Sequence, residues 1–422
     1  MKILLYGLNY APEPVGIGKY SGELATWLAQ RGHQVRVITA PPYFPRWRVG
    51  PQNDAPTRPY RNRYIREELQ GVQVQRCPLW VPRRPTGLTR LLHLASFALS
   101  SAPPLLAEWR WQPDVVISVA PAFFCAPGAL LLSGLCGSRT CSWLHVQDFE
   151  LDAAFELGLL RGGWLRRLAE AFERRTLQAF RRTSSISQAM VERLHAKGVE
   201  PSRTLLLPNW VDLEQIQPQG PSERAQNPYR RFFGLNEEHT VLLYSGSMNQ
   251  KQGLEVLVEV IRSLADRPDL VWLLAGEGPS KASLQEATHG MANVHLLPLQ
   301  PHERMNDWLN AADIHLLPQK AGAADLVLPS KLLGMLASGR PVIASSPIGT
   351  ELAALSAEAG LCVAPEDPES FGHVVVQLAE QRALREAKGR KARQLAELWF
   401  CRDAVLQELE ASLQQVVNAA AA

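Results

Sequence analysis

The residues with the clearest chemical potential are Pro329, Ser330 and Lys331, which open a short apolar stripe that begins at Leu332. A proline is tolerated in the first turn of a helix, a serine can cap it, and a lysine adds a full positive charge to the partial positive charge of the helix N-terminus. Backbone N–H groups at such a terminus bind phosphate. These residues therefore predict a diphosphate site, although a plain capped helix between two strands explains the isolated segment equally well.

Two glycines follow the first predicted strand. Gly16 and Gly18 precede a helix that we expect to begin at Lys19. Because glycine has no side chain, the backbone at these positions can approach a ligand closely. Loops use glycine for many other reasons, so this turn alone is weak evidence for a binding site.

Polar side chains also crowd the end of the fifth predicted strand, where His145 and Asp148 follow a buried run. A histidine and a carboxylate at the end of a strand are candidates for catalysis. The alternative is structural, with Asp148 as a helix cap and His145 as a core residue. We treat both residues, together with Lys331, as catalytic candidates.

Small and polar residues follow the first two strands of the second half of the chain. Gly246, Ser247 and Lys251 come after the first of these strands, and Gly276 and Glu277 after the second. Because several of these side chains are small or absent, the loops leave space in which a ligand can bind. We therefore interpret these five residues as binding candidates.

Short apolar runs alternate with helical patterns along the whole chain, which predicts an α/β fold of parallel sheets covered by helices on both faces. The pattern starts again at Thr240, so we expect two doubly wound domains. Their facing carboxyl edges would form a central cleft, where ligands bind in such folds. The predicted division is 1–208 for the first domain, 209–395 for the second, and 396–422 for a C-terminal helix that returns to the first, within a long helix at Ala383–Gln414.

Composition excludes several classes of protein. The chain has 422 residues and a net charge of only +3, and it carries no pattern typical of nucleic-acid-binding domains. Its six cysteines show no metal-site spacing, and its first residues predict a strand rather than a signal peptide, so we expect a cytoplasmic protein. The uncharged stretch from Val115 to Leu135 is long enough to span a bilayer, but its prolines favour a buried strand followed by a short helix.

Several motifs in order carry a resemblance to a known family over nearly the whole chain. They are Tyr10-Ala-Pro-Glu-Pro-x-Gly-x-Gly, Ser187-x-x-Met-x-x-x-Leu, Pro208-Asn-x-Val-Asp212, Tyr244-x-Gly246, Gln252-Gly-Leu, Ala275-Gly-Glu-Gly-Pro279, Ala312-Asp-x-x-Leu-Leu-Pro318 and Pro329-Ser-Lys-Leu-Leu, followed by Ala337-Ser-Gly-x-Pro341. This set resembles the family 4 retaining glycosyltransferases of the GT-B fold. More narrowly, the chain is similar to fucosyltransferases of colanic acid biosynthesis, which make a bacterial exopolysaccharide.

The resemblance implies transfer of a sugar from a nucleotide diphosphate sugar, held mainly by the second domain, to a lipid-linked saccharide held mainly by the first. The narrower similarity implies fucose from GDP-fucose. The resemblance also implies no metal and no other cofactor, so helix N-termini and basic side chains must offset the charge on the leaving diphosphate. The donor-binding candidates are then Gly16, Gly18, Gly246, Ser247, Lys251, Gly276, Glu277, Pro329, Ser330, Lys331 and Leu332.

The chain departs from the family at several contact positions. Most members have two glutamates eight positions apart, where this chain has Leu326 and Gly334, and Asp325 is our candidate to replace the first. The family's arginine after Tyr-x-Gly is Ser247, and its lysine aligns with Gln252. These losses leave open a catalytically inactive GT-B binding protein, and a nucleotide-sugar epimerase of similar shape is a third hypothesis.

A basic segment with interleaved aromatic residues predicts a peripheral contact with the inner face of the cytoplasmic membrane, where basic residues contribute about 1 kcal/mol each. A solvated basic loop is the alternative. The arginines are Arg46, Arg48, Arg58, Arg61, Arg63, Arg66, Arg76, Arg83, Arg84 and Arg90, against Asp54, Glu67 and Glu68, and the aromatic residues are Trp47, Tyr60, Tyr64 and Trp80.

Overall fold

The structure is a computed structural model that describes residues 1–14, 16–49, 60–83, 87–120, 123–149, 163–323 and 328–421. The chain forms two compact units. Unit 1 consists of Met1–Pro208 and Leu406–Ala422, and unit 2 of Asn209–Val405. The last helix thus joins unit 1 from residue 406, ten residues later than the expected start at 396.

The sheet of unit 1 contains eight strands among the described residues. They are β1 (Lys2–Gly7), β2 (Gln34–Thr39), β3 (Ile65–Leu69), β4 (Val72–Arg76), β5 (Val115–Ala120), β6 (Cys141–Val146), β7 (Arg182–Ser185) and β8 (Thr204–Leu206). Their order is β3-β4-β2-β1-β5-β6-β7-β8, and all neighbouring pairs are parallel except β3–β4. The parallel sheet confirms the α/β prediction.

The antiparallel edge strand β3 is absent from the prediction. Gln70 and Gly71 between β3 and β4 have φ values of 51° and 80°. Two consecutive positive φ angles are typical of the tight turn that joins a hairpin. The pair therefore forms a local hairpin at one edge of an otherwise parallel sheet.

The helices of unit 1 lie between the strands. They are α1 (Gly16–Gln30), α2 (Gly87–Ala107), α3 (Ala126–Cys136), α4 (Gly163–Ala179) and α5 (Gln188–Ala196). The apolar stretch from Val115 forms the buried strand β5 and then α3, as predicted. No helix in the described part of the chain is long and apolar enough to cross a membrane.

Unit 2 repeats the architecture with a six-stranded parallel sheet of order β11-β10-β9-β12-β13-β14 in the described residues. Its strands are β9 (Thr240–Ser247), β10 (Leu270–Glu277), β11 (Val294–Leu297), β12 (Ile314–Leu317), β13 (Val342–Ser345) and β14 (Gly360–Val363). Its helices are α6 (Pro221–Ala225), α7 (Pro228–Phe232), α8 (Leu254–Ser263), α9 (Lys281–Ala287), α10 (Met305–Ala311), α11 (Ser330–Ala337), α12 (Glu351–Ala359), α13 (Pro368–Glu380) and α14 (Arg382–Trp399). Strands β9 and β10 pair in register from Leu270 with Thr240 to Glu277 with Ser247, so their carboxyl ends lie at one edge.

The long C-terminal helix predicted at Ala383–Gln414 is two helices, α14 and α15 (Arg402–Ala421). The helix stops because Phe400 and Cys401 bond instead to a distant segment: Val211 N–H donates to the carbonyl of Phe400 at 2.8 Å, and Val211 forms a β-bridge with Cys401. In unit 1, the Glu410 carboxylate of α15 accepts hydrogen bonds from Arg31 and His33. The return of the chain to the first unit was predicted, whereas the break was not.

Candidate donor site in unit 2 and polar sites in unit 1

The N-terminus of α11 lies at the carboxyl edge of the unit 2 sheet. Pro329 occupies the cap position in an extended conformation, and Ser330 is the first helical residue. The expected cap by Ser330 is therefore wrong, since no side chain caps this helix. Leu332 and the rest of the apolar stripe are buried and fix the helix to the core. The N–H groups of Ser330 and Lys331 donate to no other described residue, so they remain available to an acceptor.

The Lys331 side chain folds back over the end of β9. Its Nζ donates to the hydroxyl of Tyr244 at 3.2 Å, contacts Oε1 of Gln252, and lies 4.4 Å from the centroid of the Tyr244 ring. Within the described residues no carboxylate pairs with it. Gln252 is thus an acceptor for Lys331.

Burial controls the charge of Lys331. Its removal from water lowers its pKa from 10.5 to about 7, because burial disfavours the ammonium form. An anion at Nζ would favour the charged form, so the side chain suits a diphosphate.

Two glycines make this close packing possible. A side chain at Gly276 would place its Cβ 2.2 Å from the carbonyl oxygen of Gly246, its neighbour on β9. Gly246 itself has a φ of +143°, and a Cβ there would lie 3.3 Å from Cδ of Lys331. Gly246 and Gly276 therefore lie side by side at the ends of β9 and β10, and Gly246 lies next to the Lys331 side chain.

The other polar candidates of unit 2 lie at or just after the ends of β9 and β10, and none of them forms a hydrogen bond with Lys331 in the described residues. Ser247 is exposed and accepts a hydrogen bond from Asn249 at 3.1 Å. Glu277 forms an ion pair with Lys281 at 2.7 Å. Lys251 is exposed, and its ammonium has no hydrogen-bond or ion-pair partner among the residues the structure describes. Asp325 and Leu326 lie outside the described residues, and a side chain at Gly334 would point to Leu309.

The glycine turn of unit 1 differs from the prediction. Helix α1 begins at Gly16 rather than at Lys19, so Gly18 lies in its first turn. Gly16 has a φ of +62°, is exposed, and has open space where a Cβ would be. Gly18 is buried, and a Cβ there would lie 2.6 Å from the side chain of Glu13. Only Gly16 is thus open to a ligand.

Glu13 is an important residue that the sequence prediction missed. It is 3% exposed, and its carboxylate accepts hydrogen bonds from the N–H groups of Tyr43 and Phe44 at 3.0 Å and from Asn9 Nδ2 at 2.8 Å. Burial raises its pKa, while these donors act in the opposite direction. Glu13 fixes the loop after β1 to the loop after β2, a long-range role that a glutamate in a glycine-rich loop does not reveal.

His145 is buried in β6. Its Nδ1 lies 2.9 Å from the hydroxyl of Ser184, which also accepts from the indole of Trp143. Burial lowers the pKa of His145 to about 4, so the imidazole is neutral at pH 7. Asp148 lies just beyond the end of the strand and is half-buried. Both residues are thus at the carboxyl edge of the unit 1 sheet, and their catalytic role stays a prediction.

Arg76 does not belong to the basic surface to which it was assigned. It is fully buried, with an ion pair to Glu67 and hydrogen bonds to the carbonyls of Ala11 at 2.7 Å and Ala40 at 3.0 Å. The alternation of β4 could have shown this, since Arg76 lies on the same face as the buried Val72 and Val74. Arg58 and Arg84 lie outside the described residues.

The sequence matches two family models. Residues 15–210 match a glycosyl transferase 4-like domain, and residues 239–381 match the glycosyl transferases group 1 domain. The chain is 42% identical, over 97% of its length and 98% of the relative's, to WcaI of Escherichia coli (strain K12), a protein assigned to colanic acid biosynthesis as a glycosyl transferase.

Solved structures show the same fold at low sequence identity. Sucrose-phosphate synthase from Thermosynechococcus elongatus is 16% identical, with a TM-score of 0.73 over 99% of this chain and all of the other. Anabaena Alr3699/HepE, solved in complex with UDP-glucose, is 14% identical, with a TM-score of 0.68 over 98% of this chain and all of the other. With both domain models matched in order and the GT-B architecture in place, the chain belongs to the group 1 and family 4-like glycosyltransferases.

Proposed function

We propose that this glycosyltransferase uses a nucleotide diphosphate sugar bound by unit 2, and transfers the sugar with retention of the anomeric configuration. The acceptor is a lipid-linked saccharide bound by unit 1. The similarity to WcaI supports a role in colanic acid or a related exopolysaccharide, with GDP-fucose as the first donor to test.

One observation carries the proposal. The buried ammonium of Lys331 has no carboxylate partner in the described residues, and it belongs to the first turn of α11, whose N–H groups at Ser330 and Lys331 are unused. A leaving diphosphate develops negative charge as the glycosidic bond breaks. The helix N-terminus and the ammonium can stabilise that charge without a metal ion.

In unit 2, the remaining donor candidates lie at or just after the ends of β9 and β10. Gly246 and Gly276 let the backbone strands lie close to the diphosphate, and Ser247, Lys251 and Glu277 border it. Gly16 is the one glycine of the α1 turn that leaves space for a ligand. His145 and Asp148 are proposed at the reacting sugar, where a neutral imidazole can exchange hydrogen bonds with a hydroxyl group.

The acceptor proposal depends on an exposed surface of unit 1 that we name the α2 face. It contains four exposed apolar or aromatic side chains, Tyr64, Trp80, Leu92 and Leu99, of which Leu99 is 77% exposed. The Tyr64 hydroxyl donates to the Ser100 carbonyl at 2.7 Å, and the backbone N–H of Trp80 donates to the Ser96 hydroxyl at 2.9 Å, so the Tyr64 ring and the Trp80 backbone are both held against α2. Exposed arginines adjoin them, namely Arg61, Arg63, Arg66, Arg83 and Arg90.

This combination suits the interface of an anionic membrane, because apolar side chains enter the headgroup region while arginines contact lipid phosphates. We propose that the α2 face brings the cytoplasmic protein to the inner leaflet, where a lipid-linked acceptor resides. Such binding to the membrane surface needs no membrane-spanning helix.

Donor turnover tests the central proposal. The full-length protein is incubated with GDP-, UDP- and TDP-sugars, with and without an extract of lipid-linked saccharides, and with EDTA. Release of nucleoside diphosphate together with a glycosylated lipid, unaffected by EDTA, is expected with one donor. Interconverted sugars would instead indicate an epimerase, and donor binding without product would indicate an inactive binding protein.

Vesicle cosedimentation tests the α2 face. Binding to phosphatidylglycerol vesicles should exceed binding to phosphatidylcholine vesicles and fall with salt, because exposed charges are screened. Leu99→Ser and Arg63→Gln should both weaken it, whereas Arg231→Gln in unit 2 should not. Equal binding by all three variants would contradict this assignment.

A further inference from the structure

A pocket of about 370 Å³ lies at the opposite, amino-terminal edge of the unit 1 sheet, away from His145 and Asp148. Its lining combines three arginines with the ends of α4 and α15, and we name it the arginine pocket. The arginines are Arg181, Arg182 and Arg203, and the accessible apolar part includes Val416, Ala419 and Ala420. None of the described residues that line it is acidic.

Each arginine is held in place by backbone carbonyls rather than by a carboxylate. Arg181 donates to Ser138 at 2.7 Å, Arg182 donates to Ser202 at 2.5 Å, and Arg203 donates to the carbonyls of Gln178 and Phe180. In the described part of the chain none of the three forms an ion pair. These bonds use one guanidinium NH₂ group of each arginine, and the buried Nε of Arg203 has no partner.

The strand register places two of these charges side by side. Thr183 pairs with Thr204 on the neighbouring parallel strand, so Arg182 lies level with Arg203. Like charges opposite each other on neighbouring strands repel. Two arginines here, with a third adjacent, concentrate positive charge, and a bound anion would relieve their repulsion.

Helix ends reduce this charge but do not cancel it. The C-termini of α4 and α15 both adjoin the pocket, and each carries about half a negative elementary charge. Against three guanidinium groups, these two partial charges leave an excess of positive charge among the residues that line the pocket. The capping of α4 uses Arg203, whereas Arg181 and Arg182 each donate to a single carbonyl and keep further guanidinium N–H groups for a ligand.

We propose that the arginine pocket binds a phosphate group, carried either by a free phosphate compound or by a phospholipid headgroup. Guanidinium groups donate in the fork geometry that phosphate oxygens accept. The apolar wall formed by Val416, Ala419 and Ala420 would additionally contact the glycerol and first acyl carbons of a lipid. The proposal is independent of the donor site, because the arginine pocket belongs to unit 1 and the donor site to unit 2.

The test titrates full-length protein with inorganic phosphate by calorimetry, at ionic strength held constant with chloride. Because phosphate also suits the α11 site, the titration is repeated with Lys331→Met. Binding that persists in Lys331→Met but weakens at least fivefold in Arg182→Gln and in Arg181→Gln is expected. Arg231→Gln, an exposed arginine of unit 2, is the matched control and should bind as wild type does.

Dihexanoyl phosphatidic acid, below its micelle concentration, distinguishes the two sources. Affinity at least tenfold above that of inorganic phosphate, lost in the same two variants, would identify a lipid headgroup. Equal affinities would identify a free phosphate compound. If Arg181→Gln and Arg182→Gln bind both probes as Arg231→Gln does, the proposal is wrong.

Discussion

Helices α1 and α11 both begin at the carboxyl edge of a parallel sheet, yet their N-termini carry opposite electrostatic surroundings. At α1 a buried carboxylate, Glu13, lies against Gly18 in the first turn. At α11 a buried ammonium, Lys331, lies over the end of β9, with no acidic residue in the first turn. Two helices that both begin at the carboxyl edge of a sheet thus differ in the charged side chain at the N-terminus, which is Glu13 at α1 and Lys331 at α11.

This difference assigns separate roles to the two termini. A carboxylate beside α1 already interacts with its partial positive charge and repels a second anion. The partial positive charge at the N-terminus of α11 has no such carboxylate beside it in the described residues, and the ammonium of Lys331 adds to it. We therefore expect unit 2 to hold the diphosphate, and Glu13 to stabilise the loops of unit 1.

The largest effect is expected from Lys331→Met, which keeps the length of the side chain and removes its charge. Transfer should fall by about 10²–10³-fold, the usual loss when one preorganised donor to a developing anion is removed. Donor turnover measured under saturating acceptor checks this. Lys391→Met, a surface lysine of the same unit paired with Glu358, is the control. Full activity of Lys331→Met would contradict the diphosphate assignment.

Glu13→Ala should act on stability instead. Its loss leaves the N–H groups of Tyr43 and Phe44 without their acceptor, which costs about 1–3 kcal/mol for a buried group. We expect a loss of about 2–4 kcal/mol in the free energy of unfolding in urea, with donor affinity of unit 2 within threefold of wild type.

A double-mutant cycle that combines Gly18→Ala with Glu13→Ala measures the interaction between the two positions. The Cβ added at residue 18 would lie 2.6 Å from both Cβ and Oε2 of Glu13, and Glu13→Ala removes only the second of these contacts. Gly18→Ala should therefore destabilise the wild type more than the Glu13→Ala variant, without becoming neutral in the latter. Glu23→Ala on α1, which removes a partly exposed ion pair with Lys19, should cost under about 1 kcal/mol. If Glu13→Ala is as stable as Glu23→Ala, the loop-fixing role of Glu13 is refuted.

Donor affinity should depend on pH through Lys331. Its pKa of about 7 means that the ammonium form declines above pH 7, so binding of the diphosphate must take up a proton there. Affinity measured by calorimetry should fall by up to about tenfold per pH unit between pH 7 and 9. Lys331→Arg keeps its charge over this range and should show a flat profile. A flat profile in wild type would be the contrary result.

The lowered pKa of Lys331 also determines whether the free energy of unfolding rises or falls with pH. Because the folded-state pKa lies below the ordinary value of 10.5, the unfolded chain holds more protons between about pH 7 and 10.5. The contribution of Lys331 to the free energy of unfolding therefore rises with pH across that window. Lys331→Met should remove this rise.

The contrast between the two helices also marks what the sequence could predict. The alternation of apolar runs and helical patterns gave both parallel sheets, because a strand buried on both faces and an amphipathic helix each leave a periodic signal. Pro329, Ser330 and Lys331 were found because helix starts have local rules. The approach of Lys331 to Gly246 follows once both are placed at strand ends of one sheet.

What escaped prediction depends on contacts between distant residues. Glu13 meets Tyr43 thirty residues later, and nothing in the spacing of either indicates it. The break before α15 is caused by Val211, nearly two hundred residues earlier. Arg76 is the intermediate case, because its strand alternation indicated burial, whereas its charge and its basic neighbours suggested a surface.

The smallest effect is expected from Lys251→Gln. Its ammonium is exposed and has no partner in the described residues, so it acts on a bound diphosphate only through solvent, where screening is strong. Donor affinity should fall about two- to threefold at low salt and not at all near 0.5 M salt. The Lys331→Met defect should persist at high salt, because a buried charge is screened much less. Equal salt sensitivity of the two variants would mean that Lys331 is as solvated as Lys251, and the distinction between the two helix termini would lose its electrostatic basis.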